Sequence, residues 1–143
     1  SLGVNIKGGR QHFLLYDLPE TIRVWNNNGM EYDAGLGFAS HAGFRCGTCY
    51  EYPFFDVYQR KKLSIKIRPL ILMEGALFQF DNIRTIDSIE QEIKELIDIV
   101  VQYKGLFVFL WHNDQFNRFE ALKRAPLYRK IVEYFYLIKK EYE

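Results

Sequence analysis

From Ile86 the apolar residues recur at Ile86, Ile89, Ile93, Leu96, Ile97, Val100 and Tyr103. Spacings of three and four place them on one face, so this stretch is expected to be an amphipathic helix. Its start is offered equally by Thr85 and by a Ser88–Gln91 capping box, and Gly105 supplies a left-handed stop. The pattern then changes. "LFVFLWH" is apolar without alternation, as in a strand covered on both faces of a parallel sheet. Pro126 opens a last helix that buries Leu127, Ile131, Phe135 and Ile138.

The first half of the chain has shorter periods. "QHFLLY" (11–16) has strand-like residues, and "DLPETIRVWNNNG" (17–29) follows as a short helix, with Asp17 as N-cap, Pro19 in the first turn and Gly29 as the stop. "MEYDAGLGF" (30–38) predicts a short strand running into a glycine-rich loop, and "LSIKIRPLILMEGAL" (63–77) one or two strands broken near Pro69. The aromatic segment 39–62 between them is long for a loop, which marks it as functional or as holding small elements of its own. Strands alternating with helices give an α/β fold with parallel strands and covering helices, either a barrel or a doubly wound sheet.

Composition narrows the class. The 143 residues suit one domain, and a hydrophobic fraction of 48% with 12 Phe, 10 Tyr and 2 Trp is too apolar for disorder. Nineteen basic against 18 acidic residues leave a net charge of +1, which offers no field for nucleic acid. No signal peptide opens the chain and no apolar run is long enough to span a membrane, so the compartment stays open. The basic residues of the last helix, Arg124, Arg129 and Lys130 among them, are mixed with glutamates and are expected on a solvated face.

In parallel α/β folds the functional groups gather at the carboxyl ends of strands. His112 lies at such an end, after Trp111 and beside Asn113 and Asp114; Glu74 follows "PLILM", Asp33 lies within the second strand, and Arg10 and His12 lie where the first begins. Arg45 follows in a loop whose Tyr50, Tyr52, Phe54 and Phe55 suit the apolar faces of a sugar. A cleft with arginine, carboxylates and imidazole suits acid–base hydrolysis. Each residue also has an ordinary role, as surface charge, turn former or strand cap.

Three blocks in order carry a resemblance: the stretch from "RQHFLLYDLP" to "YEYPFFD", then "RPLILMEGAL", then "GLFVFLWHND". Together they resemble the C-terminal half of a bacterial polysaccharide deacetylase, in a divergent branch of carbohydrate esterase family 4, over about residues 9 to 125. The resemblance implies a partial distorted (β/α) barrel whose N-terminal strands are missing from this chain, residues 1–143 being one portion of the catalytic domain. It implies a hydrolase that removes acetyl from N- or O-acetylated polysaccharide or oligosaccharide with a divalent metal, usually zinc, which activates water.

Residue by residue, Leu110 and His112 resemble the family's leucine-and-histidine motif, which makes His112 the general acid. An imidazole, with an ordinary pKa of about 6.5, carries a proton and releases it near neutral pH. Arg10 and Phe13 resemble the arginine motif that orients the base carboxylate, with Arg45 as a rival and Glu74 as a further catalytic carboxylate. His12 stands where that motif has proline, either as a replacement metal ligand or as a groove wall. Asp33, Arg45, Tyr50, Trp111 and Asn113 are the expected substrate contacts.

The family's aspartate-rich first motif and histidine-containing second motif have no counterpart here, and His12, His41 and His112 are too scattered for a local zinc signature. The remaining ligands are therefore expected upstream, with this chain alone inactive and binding no metal. Missing strands would leave an open sheet edge that favours a homodimer. "CGTC" is a poor redox or zinc signal, so Cys46 and Cys49 are expected to be buried free thiols. Two alternatives stay open: a noncatalytic carbohydrate-binding or interaction domain on a decayed deacetylase barrel, and a plain α/β scaffold.

Overall fold

The computed structural model describes residues 3–78, 85–116 and 121–142. It is a mixed α/β fold with two small sheets. Strands β1 (Gly8–Gly9), β2 (Tyr32–Asp33), β3 (Tyr52–Asp56) and β4 (Lys61–Ile67) form the first, in the order β1-β2-β4-β3. β1, β2 and β4 are parallel, and β3 returns antiparallel on β4. Strands β5 (Leu70–Met73) and β6 (Val108–Leu110) form a parallel second sheet. Arg68 and Pro69 alone separate β4 from β5, and the chain after β2 continues along β5, with Leu70 N–H donating to Leu36 O (3.1 Å) and Gly43 N–H to Ile71 O (2.8 Å). The described strands do not close into a barrel.

Four helices cover these sheets: α1 (Glu20–Asn27), the single-turn α2 (Glu74–Phe78), α3 (Ile86–Gln102) and α4 (Ala121–Tyr142). None among the described residues is long and apolar enough to cross a membrane. α1 packs Ile22 against Leu63, Ile65 and Ile67, the inward positions of alternating β4. α3 buries Ile89, Ile93 and Ile97 against Leu72, Leu77, Leu127 and Ile131, which fastens α4 to the second sheet. Each isoleucine removed from water there contributes about 1.5–3 kcal/mol. Thr85 caps α3 by accepting from Ser88 N–H (3.1 Å), which settles the choice between the two capping signals.

Several expectations need correction. "QHFLLY" is not a strand: β1 precedes it, and residues 12–14 form a tight turn in which Phe13 and Leu14 have φ of 56° and 52°. Residues 39–62 do hold elements of their own, as their length implied: 52–56 pair with β4 as an edge strand, a position that tolerates Pro53. β6 is only half-buried, not covered on both faces. Pro126 lies inside α4 instead of opening it.

The left-handed residue after α3 is Lys104 (φ 52°), not Gly105. Gly105 is needed for another reason, since a Cβ there would collide with Cys49 Sγ. Both cysteines are free, with Cys49 buried and Cys46 half-buried.

Candidate functional site

β1, β5 and β6 each end at a polar side chain, and all three side chains face one cleft of about 800 Å³. Arg10 follows β1, Glu74 follows β5 and opens α2, and His112 lies two residues beyond β6. Placing Arg10 after a strand, where the sequence pattern had it before one, brings all three to carboxyl ends. His12 lines the same cleft from the turn after β1.

The centre of the cleft is a carboxylate–imidazole pair in which Glu74 Oε1 is hydrogen-bonded to His112 Nδ1. The partners differ in exposure: the Glu74 side chain is 3% exposed and that of His112 53%. A buried, fixed carboxylate thus holds one ring nitrogen of a solvent-facing imidazole, which leaves Nε2 to exchange a proton with a ligand. Glu74 Oε2 is buried without a partner among the described residues.

Arg10 is anchored by main-chain carbonyls. Its Nε donates to Ala34 O (2.9 Å) and its Nη2 to Phe109 O (3.2 Å), while Nη1 has no protein partner among the described residues. No described carboxylate forms an ion pair with Arg10. Burial presses the guanidinium pKa below its ordinary value, and the charge of nearby Asp33 offsets this only in part.

The expected substrate contacts are placed elsewhere. Asp33 is fully buried at the end of β2, where Oδ1 accepts from Tyr16 Oη–H (2.5 Å) and Gly35 N–H (2.9 Å). Burial raises the Asp33 pKa despite those bonds and the charge of Arg10, and burial together with the Asp33 bond raises that of Tyr16. Arg45 donates to Gly37 O (2.8 Å), and Tyr50 donates to Tyr103 O. Tyr52 and Phe54 pack on the first-sheet core, while Phe55 is 54% exposed on edge strand β3. Trp111 packs edge-on to Phe78 and Tyr128, with its Nε1 buried and unpartnered among the described residues. Asn113 is exposed, and neither it nor the other four lines the cleft.

The cleft contains residues that the sequence pattern missed. Phe78 lies four positions after Glu74, hence on the same helical face, a spacing that could have flagged it. Arg124 stacks on Phe78 (4.4 Å to the ring centroid) and donates to Gln115 Oε1, so it belongs to the cleft wall and not to a solvated face. Nothing local distinguishes it from Arg129 and Lys130, which are exposed.

The described residues do not make a metal site by themselves. No three His, Cys, Asp or Glu side chains converge among the described residues, and His12 stacks edge-on to Phe13 (4.2 Å between centroids). The chain matches no protein-family model, no curated protein and no solved structure.

Proposed function

We propose that this cleft is the acid–base part of a carbohydrate deacylase site, and that the chain is the C-terminal portion of a polysaccharide deacetylase-like domain with a partial (β/α) barrel. The observation that supports the reading is the Glu74–His112 pair at the ends of two neighbouring parallel strands. With Nδ1–H held by Glu74, the imidazolium has its second proton on Nε2. As water adds to the acyl carbon and the C–O or C–N bond breaks, Nε2 gives that proton to the departing alcohol or amine; the attacking water returns one proton to Nε2 and loses the other to bulk water, and acetate is released. Glu74 fixes the ring and offsets its charge, as an orienting carboxylate does in other acid–base dyads.

A second reading, a noncatalytic carbohydrate-binding domain, is favoured by one observation: Arg10 is spent on two backbone carbonyls and orients no carboxylate base. Acetate release from acetylated oligosaccharides by the native gene product separates the two. The deacylase reading expects His112→Ala to lower turnover by about 10²–10⁴-fold with the fold intact. Unchanged turnover in the variant removes His112 as the acid, and no turnover in the native protein leaves the binding domain.

A further inference from the structure

The chemistry of Arg10 says what kind of ligand the cleft accepts. Its guanidinium lines the cleft and is held in place by the carbonyls of Ala34 and Phe109, the first bond partly buried and the second exposed. Those two bonds use Nε and Nη2 and leave Nη1 with no protein acceptor among the described residues. Neither nearby carboxylate bonds it: Glu74 holds His112 through Oε1, and Asp33 accepts from Tyr16 and Gly35 through Oδ1 and acts on Arg10 through its charge alone, while Glu74 Oε2 and Asp33 Oδ2 have no partner among the described residues. Carbonyl dipoles orient a cation without supplying a counter-charge, so a fixed guanidinium with an open donor gains from an anionic acceptor.

We infer that Arg10 Nη1 receives a carboxylate carried by the sugar ligand, so that the cleft selects an acidic polysaccharide such as a uronate-containing chain. This rests on the carbohydrate reading of the cleft, but not on its catalysis. Two further features suit such a ligand. Phe13, 80% exposed, offers aromatic surface on the cleft wall for the apolar face of a pyranose ring. The fixed guanidinium has its rotamer set before the ligand arrives, which lowers the entropy lost on binding.

The test is a titration of the 143-residue chain, followed by NMR, with a uronate tetrasaccharide, its methyl ester, and the phosphate monoester of an otherwise uncharged sugar. The acid should bind about tenfold or more tightly than the ester, since a charge-assisted hydrogen bond is lost on esterification. The preference should shrink as salt is raised from about 20 to 200 mM. In the unaltered protein the Arg10 guanidinium resonances should shift with the acid alone. Arg10→Gln should abolish the preference while leaving ester binding in place. Should that variant fail to fold, the acid–ester comparison and the Arg10 resonances of the unaltered chain still decide the matter.

Equal binding of acid and ester, an Arg10 signal indifferent to both, or no binding of either overturns the inference. Tighter binding of the sugar phosphate than of the uronate overturns the assignment to a carboxylate. Acid-selective binding without acetate release by the native protein upholds the inference and rejects the deacylase reading.

Discussion

Arg10 donates from Nη2 to the carbonyl oxygen of Phe109, joining the end of β1 to β6 in the other sheet, 99 residues along the chain. With its bond from Nε to Ala34 O it ties the carboxyl ends of three strands together over the cleft. Arg10→Ala should therefore destabilise the fold by about 1.5–3 kcal/mol, the usual range for hydrogen bonds to a charged group. Arg10→Lys should recover little of this, because an ammonium lacks the fixed fork that meets two carbonyls at once. Urea unfolding of the three proteins measures it.

A different arginine sets the acid limb of stability. Asp56, fully buried at the end of β3, accepts from Arg23 Nη2–H (2.9 Å) and from the N–H groups of Tyr58 and Gln59 (3.0 Å each). The Arg23 bond first, and then those backbone bonds, hold its pKa down at about 2. A carboxylate depressed in the folded state contributes stability above its unfolded pKa of about 3.9, and that contribution fades as pH falls toward 2. Unfolding free energy measured between pH 5 and pH 2 should fall steeply in the native chain, and less steeply in Asp56→Asn.

Ile93 is fully buried between α3 and the second sheet. Ile93→Ala should cost about 2–5 kcal/mol. The same change at Ile99, which is 39% exposed on the opposite face of α3, should cost far less. Similar losses at both positions in thermal or urea melts would mean that α3 does not pack as described.

Gly105 is held by its neighbour and not by its backbone. Gly105→Ala should destabilise by about 1–3 kcal/mol, since the new methyl group meets the Cys49 side chain and carbonyl. Adding Cys49→Ala should restore part of that loss, because the sulfur is one of the atoms in the way and the carbonyl remains. A double variant no more stable than Gly105→Ala would remove the contact as the cause.

What the sequence determined was local. Period was enough for α3, whose Ile89, Ile93 and Ile97 are all buried, and punctuation for the end of α1 before Gly29 and the break between β4 and β5 at Pro69, whereas α1 begins at Glu20 after Pro19 and not at an Asp17 cap, and Gly105 is not the left-handed stop of α3. Those features follow from side-chain spacing and from backbone preferences that neighbouring residues impose. The rule that strand ends carry function also picked Glu74 and His112, two of the residues that meet in the cleft.

What only the tertiary structure decided was pairing across distance. β1 is two glycines that are a strand only because Tyr32 and Asp33 lie beside them, while the more strand-like "QHFLLY" turns away and leaves Phe13 80% exposed. The same holds for side chains. Arg10, Arg45 and Arg124 look alike in sequence, yet one joins two sheets, one donates to Gly37 O, and one stacks on Phe78 in the cleft wall. A hydrogen bond needs both partners in place, and for Arg10 the partner lies on a strand that the first hundred residues do not contain.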